Sequence, residues 1–375
     1  MDVFLDILRG LAAVLVAYTF VFVSALVNIL FERRTLAFMQ DRLGPNRTGP
    51  QGLLQSVADA FKMLGKEDFA PAGVDKVLFT LAPIMVMIGA VAVQLVIPYT
   101  KGWTSQDLNV GIIYIVAVTS FTVLAILIGG WASHNKYSLV GALRSAAQMV
   151  SYEVPMILAL LAVAAAAGSL SLNDVVAAQS GYQWHAFVMP TTFFIFFIAS
   201  IAELNRGPFD LPESESELVA GYATEYSGMR FGMFFLNEYA GMTIMSMVTV
   251  TLFFGGWEGP GQDLIVLWGV SVIPFVWFMI KTYALVFVLV WLRLSIPRLQ
   301  VNELMAFAWK FLIPLGLLNI LASAAIILWA PEWKWVMAGF SWVALLAIVG
   351  LFDPVLRWQL RRTRQRMSSL TREPT

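Results

Sequence analysis

The sequence contains no cysteine and only two histidines, His134 and His185. Without cysteine the chain can form no disulfide, present no reactive thiol and ligate no iron–sulfur cluster. The two histidines fall in connectors that the charge pattern below places on opposite sides of a membrane, so they cannot share a metal ion. We therefore expect this chain to bind no metal ion and no iron–sulfur cluster, and we also expect no flavin.

Charged residues are also scarce. Only 13% of the 375 residues are Asp, Glu, Lys or Arg, about half the 25% that is usual in a soluble domain. Hydrophobic residues make up 59%, and the mean hydropathy is +0.75. Water therefore cannot be the main solvent of this protein. The first apolar stretch, residues 11–31, is too long for the core of a signal peptide, and we interpret it as a retained span.

Apolar runs near the length needed to cross a bilayer, about 20 residues, recur along the chain. They cover roughly residues 7–31, 77–98, 110–131, 145–167, 187–205, 233–256, 266–291, 307–329 and 335–352. None shows the alternating pattern of a membrane barrel. The sequence predicts an all-α polytopic membrane protein with about nine transmembrane helices. A single membrane domain then covers residues 1–355, and a basic tail covers 356–375.

The basic residues indicate an orientation. Most of the 24 Lys and Arg fall in the odd-numbered connectors and in the tail. Basic residues concentrate on the cytoplasmic side of membrane proteins. We therefore expect the N-terminus outside, the C-terminus inside, and the odd connectors in the cytoplasm. The tail lies inside only if the number of spans is odd, which favours nine over eight.

The first connector, residues 32–76, is predicted to contain an amphipathic helix. Apolar residues recur there at helical spacing, at Leu53, Leu54, Val57, Phe61 and Leu64. A helix of this kind is too short to cross a bilayer and suits the membrane interface. It either packs on a partner subunit or also forms the lip of a lateral opening for a lipid-soluble ligand.

The connector at residues 205–232 is acidic. Its carboxylates, opposed by Arg206 and Arg230, are Asp210, Glu213, Glu215, Glu217 and Glu225. Like charges at this density raise one another's pKa and titrate as a coupled set. A solvated acidic loop is the alternative, but the interleaved apolar residues of this segment argue against free solvation.

Four ionisable residues fall inside predicted spans or at their ends: Glu153, Glu203, Glu238 and Lys281. A charge at mid-bilayer costs about 3 kcal/mol on insertion scales, so such residues suggest function. Lys281 alternatively reaches towards the interface or pairs structurally. The three glutamates, together with the acidic connector, suggest a chain of carboxyl groups and water leading into the membrane.

Several long motifs resemble those of the H subunit of respiratory complex I, which is called subunit 1 in mitochondria. The similarity extends from about residue 15 to 330, so the ninth span and the tail lie beyond it. The motifs that carry it are Glu32-Arg-Arg34, Asp41 to Arg47, Gly49 to Gln55, Asp59 to Lys62, Lys66 to Asp68, Gly130 to Leu139, Arg144 with Ser151 to Glu153, Pro208 to Glu213 and Thr224 to Tyr226.

The resemblance implies a subunit of a proton-pumping NADH:quinone oxidoreductase that carries no redox centre of its own. It implies that the chain forms most of a quinone-access tunnel and couples quinone reduction to proton translocation. Residues similar to the tunnel are Glu32, Arg33, Arg34, Asp59, Phe61, Lys62, Arg206 and Asp210. Those similar to the proton-coupling carboxylates are Glu153, Glu203, Glu213, Glu215, Glu217, Glu225 and Glu238, and Arg293 and Arg298 match a basic connector.

The resemblance also implies partners and a location. Ubiquinone or menaquinone would be the bound substrate, with its headgroup held by peripheral-arm subunits. Those subunits, small membrane-arm subunits and the lipid bilayer would be the partners, and we expect no nucleic acid. The location implied is the bacterial inner membrane.

Two positions depart from the family pattern. Ser120 stands where some members have a glutamate, which removes one carboxyl from the expected chain. Asn302 stands where an aspartate is usual, which puts an acidic role there in doubt.

Three other functions fit part of the pattern. The equivalent subunit of a membrane-bound hydrogenase or ferredoxin-linked complex shares this module, but the complete first-connector motifs favour a quinone-reducing complex. A self-contained secondary transporter predicts inverted repeats, and we find no clear repeat. A passive assembly anchor predicts tolerance of carboxylate-to-amide changes.

Overall fold

The computed structural model describes residues 2–101, 104–181, 183–210, 220–261, 266–267, 270–297, 300–329, 335–347 and 350. Within these ranges the regular structure is helical, apart from one pair of two-residue antiparallel strands. In that pair Val266 faces Ser271 and Leu267 faces Val270.

The helices, with two single turns at Pro50–Gly52 and Gly221–Ala223, follow one another along the chain. They are α1 (Asp2–Met39), α2 (Gln55–Gly65), α3 (Lys76–Gln94), α4 (Gly111–Ala132), α5 (Lys136–Ala167), α6 (Leu172–Ala178), α7 (His185–Val188), α8 (Pro190–Glu203), α9 (Gly228–Phe253), α10 (Val272–Ser295), α11 (Val301–Phe307), α12 (Ile313–Trp329) and α13 (Trp335–Ala347). A π-helical segment, Ala308–Leu312, joins α11 to α12.

Six helical stretches in the described ranges are long and apolar enough to cross a membrane. They are Gly10–Met39, Lys76–Gln94, Gly111–Ala132, Lys136–Ala167, Val272–Ser295 and Val301–Trp329. Helices α8 and α13 are apolar but shorter. The prediction of an all-α, multi-pass membrane protein is therefore confirmed, while the number nine and the orientation stay predictions.

The ends of the long helices follow from local sequence. The Asp75 carboxylate caps α3 by accepting from the backbone N–H of Val77 (3.1 Å) and Leu78 (3.3 Å). Asn135 caps α5 in the same way through the N–H of Tyr137, at 2.8 Å. Such side-chain acceptors satisfy donors that the first helical turn leaves free. Helix α5 ends at Ala167, and the following Gly168 caps it with a φ of 70°, the left-handed conformation that favours glycine.

Helix α9 lies at the centre of the bundle, in contact with α1, α3 and α10. Every residue from Met242 to Phe253 is buried. Because neighbouring helices surround it, α9 needs little lipid-facing apolar surface and carries polar residues that the outer helices lack. On the outside of the bundle, Leu15 of α1 and Leu318 of α12 are 65% and 67% exposed, as expected for side chains that face lipid.

Helix α2 occupies the position predicted for the amphipathic helix. Its apolar residues Phe61 and Leu64 are 69% and 60% exposed, so they point away from the bundle. Asp59, on another face, contacts α1 through Arg33. The first connector therefore presents an apolar surface next to the end of α1.

Candidate functional site

Four charged side chains from distant parts of the chain form one ion-pair network that includes the buried Glu32, whose side chain is 3% exposed. Arg206 Nη1 lies 3.0 Å from Glu32 Oε2, and Arg293 Nη1 contacts Glu32 Oε1. On its other side, Arg206 Nε lies 2.8 Å from Glu238 Oε1. Two carboxylates and two guanidinium groups thus balance in charge, and α1, α9, α10 and the acidic connector meet there. We call these four residues the Glu32 cluster.

Arg206 is the central member of the cluster, with a side chain that is 6% exposed. Its guanidinium carbon lies 4.0 Å from the centre of the Tyr239 ring, in cation–π geometry. Burial alone lowers the pKa of an arginine, but the carboxylates of Glu238 and Glu32 outweigh it and raise the pKa of Arg206 above its ordinary value. Arg206 therefore stays charged at every physiological pH.

Glu203 and Glu153 form a second acidic pair. Glu203 ends α8 and is buried. Glu153 of α5 accepts from the Ser120 hydroxyl, and the two carboxyls are close enough to interact electrostatically. At the position where some family members have a glutamate, this chain therefore has a hydroxyl in contact with Glu153.

A cavity of about 90 Å³ lies between the two groups and has room for water molecules. Both Glu203 and Glu238 line it, together with Asn205, Asn237 and Tyr222. The cavity therefore brings Glu238 of the Glu32 cluster and Glu203 of the second pair to one water-sized space.

Helix α5 holds the upstream end of the acidic connector through Gln148. The Gln148 amide donates to the carbonyls of Ala202 (2.8 Å) and Phe209 (2.9 Å) and to Asn205 Oδ1 (3.1 Å). Asn205, which has a positive φ of 51°, also donates to Ser145 at 3.0 Å. These bonds fix the backbone on both sides of Arg206.

The same helix holds the downstream end of the connector. Ser138 donates to the Tyr222 carbonyl at 2.9 Å, and Asn135 donates to Glu225 at 2.5 Å. Between them α5 approaches the connector so closely that a Cβ on Gly141 would lie 2.6 Å from Gly221 Cα.

Sequence reasoning missed this face of α5. Its signal is a stripe of polar and small residues at helical spacing: Asn135, Ser138, Gly141, Ser145 and Gln148.

We expect Gln148→Leu to destabilise the protein by about 2–3 kcal/mol, because it leaves buried carbonyls and Asn205 without their donor. The apparent Tm of the purified, assembled complex should fall. Gln55→Leu is the matched control, since Gln55 is part-buried and, among the residues that the structure describes, bonds only side chains of the first connector. Equal Tm values for the two variants would contradict this role of Gln148.

Comparison with known proteins places the chain in a family. A family model described as NADH dehydrogenase matches residues 11–324. The H subunit of NADH-quinone oxidoreductase from Dehalococcoides mccartyi (strain ATCC BAA-2266 / KCTC 15142 / 195) is 44% identical over 344 residues, 92% of this chain and 94% of its own. The chain belongs to the family of NADH-quinone oxidoreductase H subunits. The H subunit from a Geobacillus species is 47% identical over 323 residues (86% and 94% of the two chains), and that from Brevibacillus brevis is 49% identical over 299 residues (80% and 87%).

Membership of the H-subunit family confirms the resemblance that the motifs indicated. The match to the family model ends at residue 324, before α13 begins. Helix α13 packs on α8, where the Thr191 hydroxyl donates to the Ser341 carbonyl at 2.7 Å.

The residues that the resemblance assigned to the tunnel separate into two groups. Glu32 and Arg206 are buried in the Glu32 cluster. Arg33 pairs with Asp59 at a half-exposed position, with side chains 40% and 33% exposed, and Arg34 donates to the Gln51 carbonyl. Phe61 and Lys62 are exposed on α2.

The remaining predicted carboxylates are placed apart or lie outside the described ranges. Glu225 lines a separate groove of about 350 Å³ with His134 and Lys136. Asp210 is within electrostatic range of Glu238. Glu213, Glu215, Glu217, Arg298 and the tail 356–375 lie outside the described residues.

Lys281 donates hydrogen bonds to the backbone and contacts an aromatic ring. Its ammonium donates to the carbonyls of Phe254 (2.7 Å), Gly256 (3.1 Å) and Glu258 (2.6 Å), just beyond the end of α9. It also lies 4.8 Å from the centre of the Trp184 ring. These contacts favour the interpretation that Lys281 caps α9.

No group of three His, Cys, Asp or Glu in the described parts of the chain is placed to hold a metal ion.

Proposed function

We propose that this chain is a membrane-arm subunit of a proton-translocating NADH-quinone oxidoreductase in the bacterial inner membrane. The names of its relatives support this assembly. A helix lies at each of the nine apolar runs, which favours nine spans. The basic residues favour an N-out, C-in orientation.

The subunit would couple quinone reduction to proton translocation. The observation that carries this proposal is the water-sized cavity that both Glu238, the ion-pair partner of Arg206, and Glu203 line. Reduction of a quinone consumes protons and changes the charge next to the Glu32 cluster. Arg206 contacts Glu32 and Glu238 together, so a change at Glu32 alters the field at Glu238. The cavity water then connects Glu238 to Glu203 for proton exchange.

The quinone would approach along the first connector. The apolar face of α2, next to the end of α1, suits the isoprenoid tail of a lipid-soluble quinone. Phe31 and Phe287 meet edge to face nearby, between α1 and α10, with ring centres 6.3 Å apart. Partner subunits of the peripheral arm would hold the headgroup.

Glu203→Gln tests the coupling role. A positioned proton-transfer group typically raises the reaction rate about 10²–10⁴-fold. Water can replace part of this contribution. We therefore expect proton translocation in proteoliposomes and quinone reductase activity to fall at least tenfold. Asp174→Asn is the control, because Asp174 is exposed and bonds only Ser169 within the described ranges. If Glu203→Gln assembles and pumps at the wild-type rate, the chain acts as a docking platform and the coupling proposal fails.

A further inference from the structure

The interface between α1 and α9 is polar on the side away from the 90 Å³ cavity. Asn28 of α1 is fully buried and donates to the Tyr239 carbonyl (2.9 Å) and to the Thr243 hydroxyl (2.6 Å). Tyr239, Thr243 and Ser246 recur at i, i+4 and i+7, so they share one face of α9. Glu238, Gly241 and Met245, which line the cavity, lie on another. We call the first set, with Asn28, the α1–α9 seam.

Three buried polar atoms at this seam lack a hydrogen-bond partner within the described part of the chain: Arg206 Nη2, Asn28 Oδ1 and Ser246 Oγ. The residues that carry them are 5%, 0% and 2% exposed. A buried polar atom without a partner is costly, and in folded proteins bound water commonly supplies the missing bond. Their chemistry is complementary, since Arg206 can only donate, Asn28 Oδ1 can only accept, and Ser246 can do both.

The three atoms are arranged in order along the interface between α1 and α9. Asn28 precedes Glu32 by one turn of α1, and Ser246 follows Thr243 by about one turn of α9. Asn28 pairs with Tyr239 and Thr243, while Glu32 connects to Glu238 through Arg206, so the two helices are antiparallel there. The seam therefore starts at the Glu32 cluster and leads away from it along α1 and α9. At its head, a cavity of about 10 Å³ touches Glu32, Arg206 and Met242, which is space for a single water molecule.

We propose that the α1–α9 seam binds a short chain of water molecules running from Arg206 Nη2 past Asn28 to Ser246. This chain provides a second hydrated branch for protons, which contains neither Glu203 nor Glu153 and lies in series with the 90 Å³ cavity, so that protons pass through both. Protons move along it by exchange between water and hydroxyl groups, with no change in oxidation state. The inference rests on the proposed function, because the branch starts at the same Glu32 cluster.

Ser246→Ala tests the branch, because it removes the hydroxyl without adding volume. In proteoliposomes containing the assembled complex, we expect the rate of proton translocation to fall about fivefold, the effect of losing one hydrogen bond. Thr249→Val is the matched control, since the buried Thr249 hydroxyl is already bonded to the Met245 carbonyl at 2.6 Å. It should pump at the wild-type rate. Asn28→Leu, which keeps the number and branching of the side-chain heavy atoms, should reproduce the loss.

A cryo-EM map of the intact wild-type complex gives an independent readout. Water density within hydrogen-bond distance of both Asn28 Oδ1 and Ser246 Oγ is expected, and its absence from an otherwise well-hydrated map overturns the inference whatever the variants do. Wild-type pumping by Ser246→Ala, with a loss in Glu203→Gln, removes the branch and leaves the proposed function standing. Wild-type pumping by both variants overturns both proposals.

Discussion

Replacement of Arg206 by methionine is expected to abolish quinone reductase activity and to lower the amount of assembled complex severely. Methionine has a similar length but no charge, so Glu238 loses its ion pair and Glu32 loses one of two. Removing one partner of a buried ion pair costs about 3–5 kcal/mol, because the other charge stays buried. The measurement is the amount of assembled complex in membranes and its activity per complex.

Arg230→Met is the matched control for this result. Arg230 pairs with Asp68 at 3.2 Å, but the two side chains are 23% and 43% exposed. Pairs this exposed contribute about 0–1 kcal/mol. Arg206→Lys should fall between the two, because an ammonium keeps the charge but lacks the planar geometry that contacts two carboxylates at once. Normal assembly and activity of Arg206→Met would show that the Glu32 cluster contributes neither to the stability of the protein nor to the activity of the complex.

Replacement of Gly141 by valine is expected to leave little or no assembled complex. A Cβ at Gly141 would lie 2.6 Å from Gly221 Cα and 2.8 Å from the Tyr222 backbone nitrogen. Both obstacles are backbone, so no side chain can move aside. Overpacking by a methyl group typically costs about 1–3 kcal/mol, and valine adds three carbons. Immunoblots of membranes and of the intact complex measure the outcome.

Gly65→Val is the control for the same chemical change. Gly65 is also helical, at the end of α2, but a Cβ there meets nothing within 4 Å. We expect near-normal amounts of complex from it. If Gly141→Val assembles as well as Gly65→Val, then α5 does not hold the downstream end of the acidic connector as described.

The apolar runs predicted where the helices lie better than where they end. Helix α1 continues to Met39, past the predicted span end at residue 31, because the polar residues that follow are still good helix formers. The predicted run 187–205 is divided near Met189, since Pro190 cannot continue a preceding helix and begins a new one. Helix α10 starts at Val272 because residues before it form the strand pair.

The pairings within the site could not be predicted from spacing. Glu32 and Arg293 are 261 positions apart, and the motifs named both without connecting them. Ion-pair partners across a bundle depend on how helices pack, which periodicity does not specify. Conversely, Phe61 and Lys62 share a motif with Asp59 but are exposed on other faces of a short helix. A motif thus identifies important residues without showing that they act together.

The two contacts that secure α9 have a consequence for motion. In the first half of α9, Glu238 forms an ion pair with Arg206. Just past the last turn, the Lys281 ammonium donates hydrogen bonds to three backbone carbonyls. A piston-like displacement of α9 along its axis would have to break both sets of bonds. We therefore expect energy from the redox reaction to be transmitted past α9 by proton transfer and side-chain reorientation, while the helix itself does not move along its axis.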